Sequence, residues 1–288
     1  MFPVHLDFGP FSPYFYEGLY FALSILLAIL WIYRRQKKWI PKGQEHLEGI
    51  ITWSLVTALI FARLSHFLFW EPDVLFTNPG VFFNLSGGNS IVGGLVGGML
   101  GGFLYVKRKG LNYWKYFAMI SPAVLYGQAL GRLGCFFNGD AFGTATNLPW
   151  GVQFPRYGTT IPSFETNYRI SSEAWRWSYE NGLVDQASQA SAPLHPTQLY
   201  EMLGDFALMF VVLYMFKKMW DKGENLKYIF LVHVGGYSFL RFALEFIRGD
   251  NDTMLYFGMT GLQVSLLLLS LFMLGIAIKD WKSKPKTA

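Results

Sequence analysis

Arg63, Arg132 and Arg241 lie inside long apolar stretches of this chain. A charge in such a place is expensive and marks function by default. Guanidinium presents a planar fork of donors that matches phosphate oxygens, which a lysine ammonium does not. Carboxylates accompany these arginines: Glu245 follows Arg241 by one helical turn, and Glu17 and Glu201 open apolar runs of their own. The chemistry this set suits is capture of a phosphate-bearing anion at a lipid boundary. The bland alternative is a brace of ion pairs, or arginines snorkelling from helix ends.

Three blocks carry the polar residues. "GRLGCFFNGDAFG" (131–143) surrounds Arg132 with Gly131, Gly134, Gly139 and Gly143, expected to let the backbone turn tightly against a ligand. Asn138 and Asp140 add polar groups, and Cys135 reads as a small apolar filler. It is the one cysteine, so no intramolecular disulfide is possible. "LHPTQLYE" (194–201) offers His195 as a proton carrier or an interfacial polar group, with Thr197 placed to help cap a helix. "LRFALEFIRGDND" puts Arg241, Glu245 and Arg248 near one helical face, which fits a brace as well as an anion clamp. "IVGGLVGGMLGG" holds two glycine ladders at four-residue spacing, expected to serve close helix packing. The preceding "NLSGGNS" is expected to leave backbone N–H groups facing an anion.

The elements that hold these residues follow from composition. The chain is 52% hydrophobic and 18% aromatic, with only 15% charged residues, against about 25% charged in soluble domains. This indicates an integral membrane protein, and the placement of the +5 net charge argues against a nucleic-acid partner. Seven runs approach the length a bilayer core requires: about 14–33, 49–70, 91–106, 112–133, 197–216, 227–247 and 255–278. No lysine or arginine precedes the first, which is expected to be a span and not a cleaved leader. Seventeen of the 24 lysines and arginines fall on one side of these spans, in 34–42, 107–115, 217–227 and 279–286. The basic side faces the cytoplasm. The expected fold is therefore an all-α membrane protein with seven transmembrane helices, N-terminus outside (periplasmic), C-terminus cytoplasmic. Residues 1–288 read as a single membrane domain, with 144–194 a periplasmic loop or small head region between helices four and five. Spans two, four and six then run outward. Arg63 and Arg241 lie seven residues before Trp70 and Arg248, about 10 Å from the outer ends at 1.5 Å per residue. The ionisable groups gather in the outer half of the bundle. A transporter is disfavoured, because no repeat is visible and the charges sit off the midplane.

Together the blocks resemble the prolipoprotein diacylglyceryl transferase family. Its long motif looks like GRxGNFxNxExxG, and it carries HPSQLYE-like and RxxxExxRxPD-like blocks. "ARLSHFLFW" and "PWGVQFP" resemble its ARLxxVLFY and WGxxFP segments, and the similarity runs in order from about 14 to 265. The resemblance implies a multi-pass protein of the bacterial inner membrane. It implies transfer of the diacylglyceryl group from phosphatidylglycerol to the lipobox cysteine thiol of a prolipoprotein, releasing glycerol-1-phosphate. The implied partners are that lipid, the signal-peptide and lipobox region of the acceptor, and the bilayer, with no metal or cofactor. The catalytic set it implies is Arg132, Arg241, Asp140, His195 and Glu245. The lipid-binding set is Arg132, Asn138, Gly143, Arg63 and Tyr16 or Tyr20, the choice of tyrosine depending on a one-residue slide of "YFYEGLY".

Three positions depart from the pattern. Cys135 replaces an asparagine and Asp140 a glutamate. Val92, in "SIVGG", stands where the family's "SFHGG" places a histidine favoured as base, and valine cannot accept a proton. Three readings follow. Fixed cations do the electrostatic work without that histidine; another base such as His195 or Asp140 serves; or the chain is a divergent member that binds or modifies another lipid or acceptor.

Overall fold

Lipid offers no partner for backbone N–H and C=O groups, so apolar runs must close their hydrogen bonds internally as helices. The computed structural model describes residues 23–35, 44–77, 80, 82, 90–162, 167–222, 225–250 and 258–282. Its helices are α1 (23–35), α2 (Gln44–Trp70), α3 (Pro72–Thr77), α4 (Ile91–Arg108), α5 (Tyr113–Asn138), α6 (Glu173–Glu180), α7 (Thr197–Asp221), α8 (Lys227–Glu245) and α9 (Gly261–Lys282). Among the described residues, His46–Phe69, Thr197–Trp220 and Gly261–Lys279 are long and apolar enough to cross a membrane. Leu59, Phe210, Leu268, Leu271 and Phe272 are each more than 60% exposed. Such apolar faces are liabilities in water and at home against acyl chains.

Several ends differ from the sequence expectation. α5 continues to Asn138, so "GRLGCFFN" is helix and not a glycine turn. α7 continues to Asp221 through its basic residues. Polar termini extend a span as helix because the hydrogen-bond ladder does not depend on side-chain polarity. The chain is also not purely helical. Strands β1 (Tyr157–Pro162) and β2 (Asn167–Ser171) form an antiparallel hairpin in the 144–194 segment. Their threonines and isoleucines favour extended backbone.

The described chain forms two compact units. One spans 33–117; the other joins 118–288 to the residues before 33. In the first, α2 packs on α4 through the glycine ladder. A Cβ at Gly93, Gly97 or Gly101 would lie 2.5, 2.5 or 2.6 Å from the carbonyl oxygens of Phe61, Thr57 and Trp53. The packing reading of the ladder holds, because only glycine permits that approach. The anion reading of its outer end falls mainly on residues outside those described. Ser90 caps α4, its Oγ accepting from the Gly93 N–H at 3.2 Å. The 83–89 stretch lies outside the described residues.

In the second unit, α8 packs against α9 and α7 by the same device. A Cβ on Gly235 would meet Leu274 Cγ at 2.8 Å, and one on Gly204 would meet Leu240 Cδ1 at 2.5 Å. Ser121 Oγ and His233 Nδ1, both buried, are 2.5 Å apart and link α5 to α8. The 144–194 segment has its own small core of Val152, Phe154, Ala174 and Leu194 closed by Phe142. Ser172 caps α6, accepting from the Trp175 N–H.

Candidate active site

Three stretches far apart in the chain are stitched edge to edge. Gly143 N–H donates to the His195 carbonyl at 2.9 Å, and His195 N–H donates to the Thr144 carbonyl at 3.0 Å. Thr144 N–H donates to the Ile247 carbonyl at 2.8 Å, and Gly249 N–H to the Phe142 carbonyl at 3.0 Å. The ends of α5 and α8 and the start of α7 are thereby tied together. Gly143 is required by this closeness. A Cβ there would lie 2.5 Å from His195 Cβ and 2.8 Å from the carbonyl oxygens of His195 and Ile247.

The turn between the end of α5 and Gly143 is unusual. Gly139 has φ +75°, where glycine is at ease, but Ala141 also sits at φ 55°. Ala141 is held there from α7. Thr197 Oγ1 donates to its carbonyl at 2.6 Å, and Gln198 Nε2 donates to the Asp140 carbonyl at 2.6 Å. Thr197 is therefore not a cap. Pro196 occupies the cap position and supplies no side-chain bond. The threonine hydroxyl is spent on holding a strained loop, a feature that clusters at functional sites.

Inside this frame the charged side chains pair. Arg132 Nη2 is 2.6 Å from Glu201 Oε1, which also accepts from Tyr237 Oη at 3.3 Å. The Glu201 side chain is 2% exposed, while 22% of Arg132 remains accessible. The guanidinium thus keeps further N–H donors after satisfying its carboxylate. Arg132 Nη1 is 4.0 Å from Cys135 Sγ. Arg241 Nη1 is 2.7 Å from Glu245 Oε2, and Arg248 Nε is 4.0 Å from the same oxygen. Arg248 in turn grips Asp250, Nε to Oδ1 at 2.8 Å. Arg241 follows Tyr237 by one turn of α8, so that helix carries both the Arg241–Glu245 pair and the tyrosine that meets Glu201.

Asn138 Nδ2 donates to Asp140 Oδ2 at 2.6 Å. His195 Nδ1 lies 3.3 Å from Tyr200 Oη, which accepts from Trp150 Nε1 at 2.7 Å. The 144–194 segment thus reaches the histidine through a tryptophan.

Of the residues singled out from sequence, Arg132, Asn138, Asp140, Gly143, His195, Arg241 and Glu245 belong to this one unit. Arg63 belongs to the unit spanning 33–117. It is buried, donates from Nε to the Phe82 carbonyl at 3.1 Å, and lies 5.2 Å from the centre of the Phe67 ring. Tyr16, Tyr20 and Glu17 lie outside the described residues. Sequence reasoning gave no role to Tyr237 or Gln198. Gln198 stands inside the "HPTQLYE" block, and Tyr237 carries no local signal at all.

A family model described as prolipoprotein diacylglyceryl transferase matches residues 3–279. A phosphatidylglycerol–prolipoprotein diacylglyceryl transferase of Ralstonia pickettii (strain 12J) is 29% identical over 296 residues, covering 97% of this chain and 92% of that protein. A protein of the same name from Pseudomonas paraeruginosa (strain DSM 24068 / PA7) is 27% identical, covering 99% and 97%. Another from Bordetella avium (strain 197N) is 28% identical, covering 87% and 83%. A match over nearly the full length, with the three blocks joined at one locus, makes this chain a member of the prolipoprotein diacylglyceryl transferase family.

Proposed function

We propose that this chain transfers the diacylglyceryl group of phosphatidylglycerol to the lipobox cysteine of a prolipoprotein and releases glycerol-1-phosphate. The observation that carries the reading is the Arg132–Glu201 pair at 2.6 Å, with donors to spare, in a frame built from all three motif blocks. The acceptor thiol sulfur attacks the glyceryl carbon that bears the phosphate. The carbon–oxygen bond breaks, both electrons leave on the phosphate oxygen, and negative charge grows there. Arg132 and Arg241 bind and neutralise that charge, which is stabilisation by preorganised cations. Glu201 and Glu245 hold the two guanidinium groups in place.

The thiol proton passes to Asp140 and then to the departing glycerol phosphate. Asn138 orients Asp140 through the 2.6 Å bond. His195 is positioned by Tyr200 and carries the loop that closes over Gly143. Gly143 admits the close backbone approach, and Arg63 supports phosphatidylglycerol binding. Tyr16 or Tyr20 contributes from the first span. The whole chain is one membrane domain with seven spans, N-terminus periplasmic and C-terminus cytoplasmic, in the bacterial inner membrane. The 144–194 segment is a periplasmic head that meets the acceptor peptide. The three long apolar helices and the one-sided lysines and arginines support this orientation.

Val92 favours a second reading, a member that binds phosphatidylglycerol without transferring it to a thiol. One experiment separates the two. Purified protein is mixed with phosphatidylglycerol and a lipobox peptide, and glycerol phosphate and peptide mass are followed. A diacylglyceryl mass gain supports the transferase. Arg132-dependent lipid binding with no release and no gain supports the binder.

A further inference from the structure

Two buried acceptors lie one helical turn deeper than the Arg132–Glu201 pair. Gln128 precedes Arg132 by four residues on α5, and Asp205 follows Glu201 by four on α7, so each shares a helix face with its partner. Gln128 Oε1 and both carboxylate oxygens of Asp205 have no hydrogen-bond partner among the described residues. Asp205 is fully buried. The pairing of Arg132 with Glu201 and the ring contact of Tyr126 with Phe206, 6.2 Å between centroids, bracket this layer from both ends. Gly131 lies three residues from Gln128 on the same side of α5, and a Cβ there would meet no heavy atom of the described residues within 4 Å.

Buried acceptors left without donors are costly, and each asks for an explanation. Three oxygens on two facing helices ask for a ligand that carries several O–H donors. The proposed substrate has such a part: the three-carbon headgroup beyond its phosphate ends in two hydroxyls. With the phosphate at Arg132, the four-residue step of about 6 Å is the reach of that headgroup. A cationic headgroup is disfavoured, because the Arg132 guanidinium already stands beside the layer. We propose that Asp205 and Gln128 form the headgroup subsite, accepting the two glycerol hydroxyls of phosphatidylglycerol and setting the preference for that lipid. This rests on the transferase reading above. The Asp205 carboxyl faces Glu201 on its own helix, Arg132 on α5 and Tyr237 on α8.

The test compares phosphatidylglycerol with phosphatidylpropanol, whose headgroup has the same three carbons and neither hydroxyl. The leaving phosphate is chemically alike, so a difference reports recognition. The full-length protein in detergent, with a lipobox peptide, is expected to favour phosphatidylglycerol in kcat/KM by on the order of 10- to 100-fold. Asp205→Leu and Gln128→Leu bring that ratio towards one by losing activity on phosphatidylglycerol alone. Asp205→Asn keeps the volume and one acceptor oxygen, so it folds as the parent does and gives an intermediate ratio. A parent ratio near one, or an equal loss on both lipids in Asp205→Asn, overturns the subsite. A parent that transfers from neither lipid overturns the transferase reading, and the subsite with it.

Discussion

At the residue scale, Arg132 has two duties that substitution separates. It neutralises Glu201, whose side chain is 2% exposed, and in the proposed reaction it offers its remaining donors to the lipid phosphate. Arg132→Ala is expected to abolish transfer and to destabilise the protein by about 3–5 kcal/mol, since it strands a buried carboxylate. Arg132→Lys keeps the charge but loses the fork, so it should fold normally by thermal unfolding while kcat/KM falls at least about 100-fold. Arg241→Ala is expected to stop transfer as well, through the partner of Glu245. Asp140→Asn should lower kcat by about 100-fold or more with little change in the KM for lipid, as loss of a general base does. Val92→His should at most raise the rate. Unaltered turnover in Arg132→Ala and Arg241→Ala would sink the phosphate clamp.

At the element scale, close approaches decide which glycines matter. Gly143 touches His195 and the Ile247 carbonyl, so Gly143→Ala must push apart the segments that carry all three blocks. A loss of about 1–3 kcal/mol and of activity is expected, read by thermal unfolding and transfer assay together. A Cβ at Gly131 would meet nothing among the described residues within 4 Å, and Gly131→Ala is expected to be stable in the same assay. The ladder of α4 is a second case. Gly97→Val drives a branched side chain into Phe61 and the Thr57 carbonyl and should separate α2 from α4, seen as a lowered melting temperature. Ala141, at φ 55°, gives the opposite sign. Ala141→Gly relieves the strained backbone and keeps the carbonyl that the Thr197 hydroxyl meets, so it should hold or raise the melting temperature.

At the scale of the whole molecule, the basic residues set the expected orientation. Single cysteines introduced at Lys109 and at Asn181 in a Cys135→Ser background report it. A membrane-impermeant thiol reagent applied to intact cells stripped of their outer membrane should label position 181 and spare position 109. Labelling at 109 alone would reverse the proposed topology. The head segment carries its own small core, so trimming 144–194 should remove acceptor recognition and disturb His195, because Trp150 reaches the histidine through Tyr200.

The sequence by itself determined the family and most of the helices, and it supplied the arginines proposed to meet a phosphate. Those signals are local: an apolar run, a glycine period, a block of fixed spacing. The end of α5 was misread because glycine spacing signals both turns and helix contacts, and only Gly139 in "GRLGCFFNG" adopts a positive φ. The hairpin at 157–171 was missed in a polar stretch with weak periodicity. Tertiary structure alone decided that Arg132 meets Glu201, 69 residues away, and that Tyr237 leans on the same oxygen. It alone made Thr197 a clamp on Ala141 and left Gln128 Oε1 and the Asp205 carboxylate without donors among the described residues. A pairing across helices depends on which faces are brought together, and no single stretch of chain encodes that.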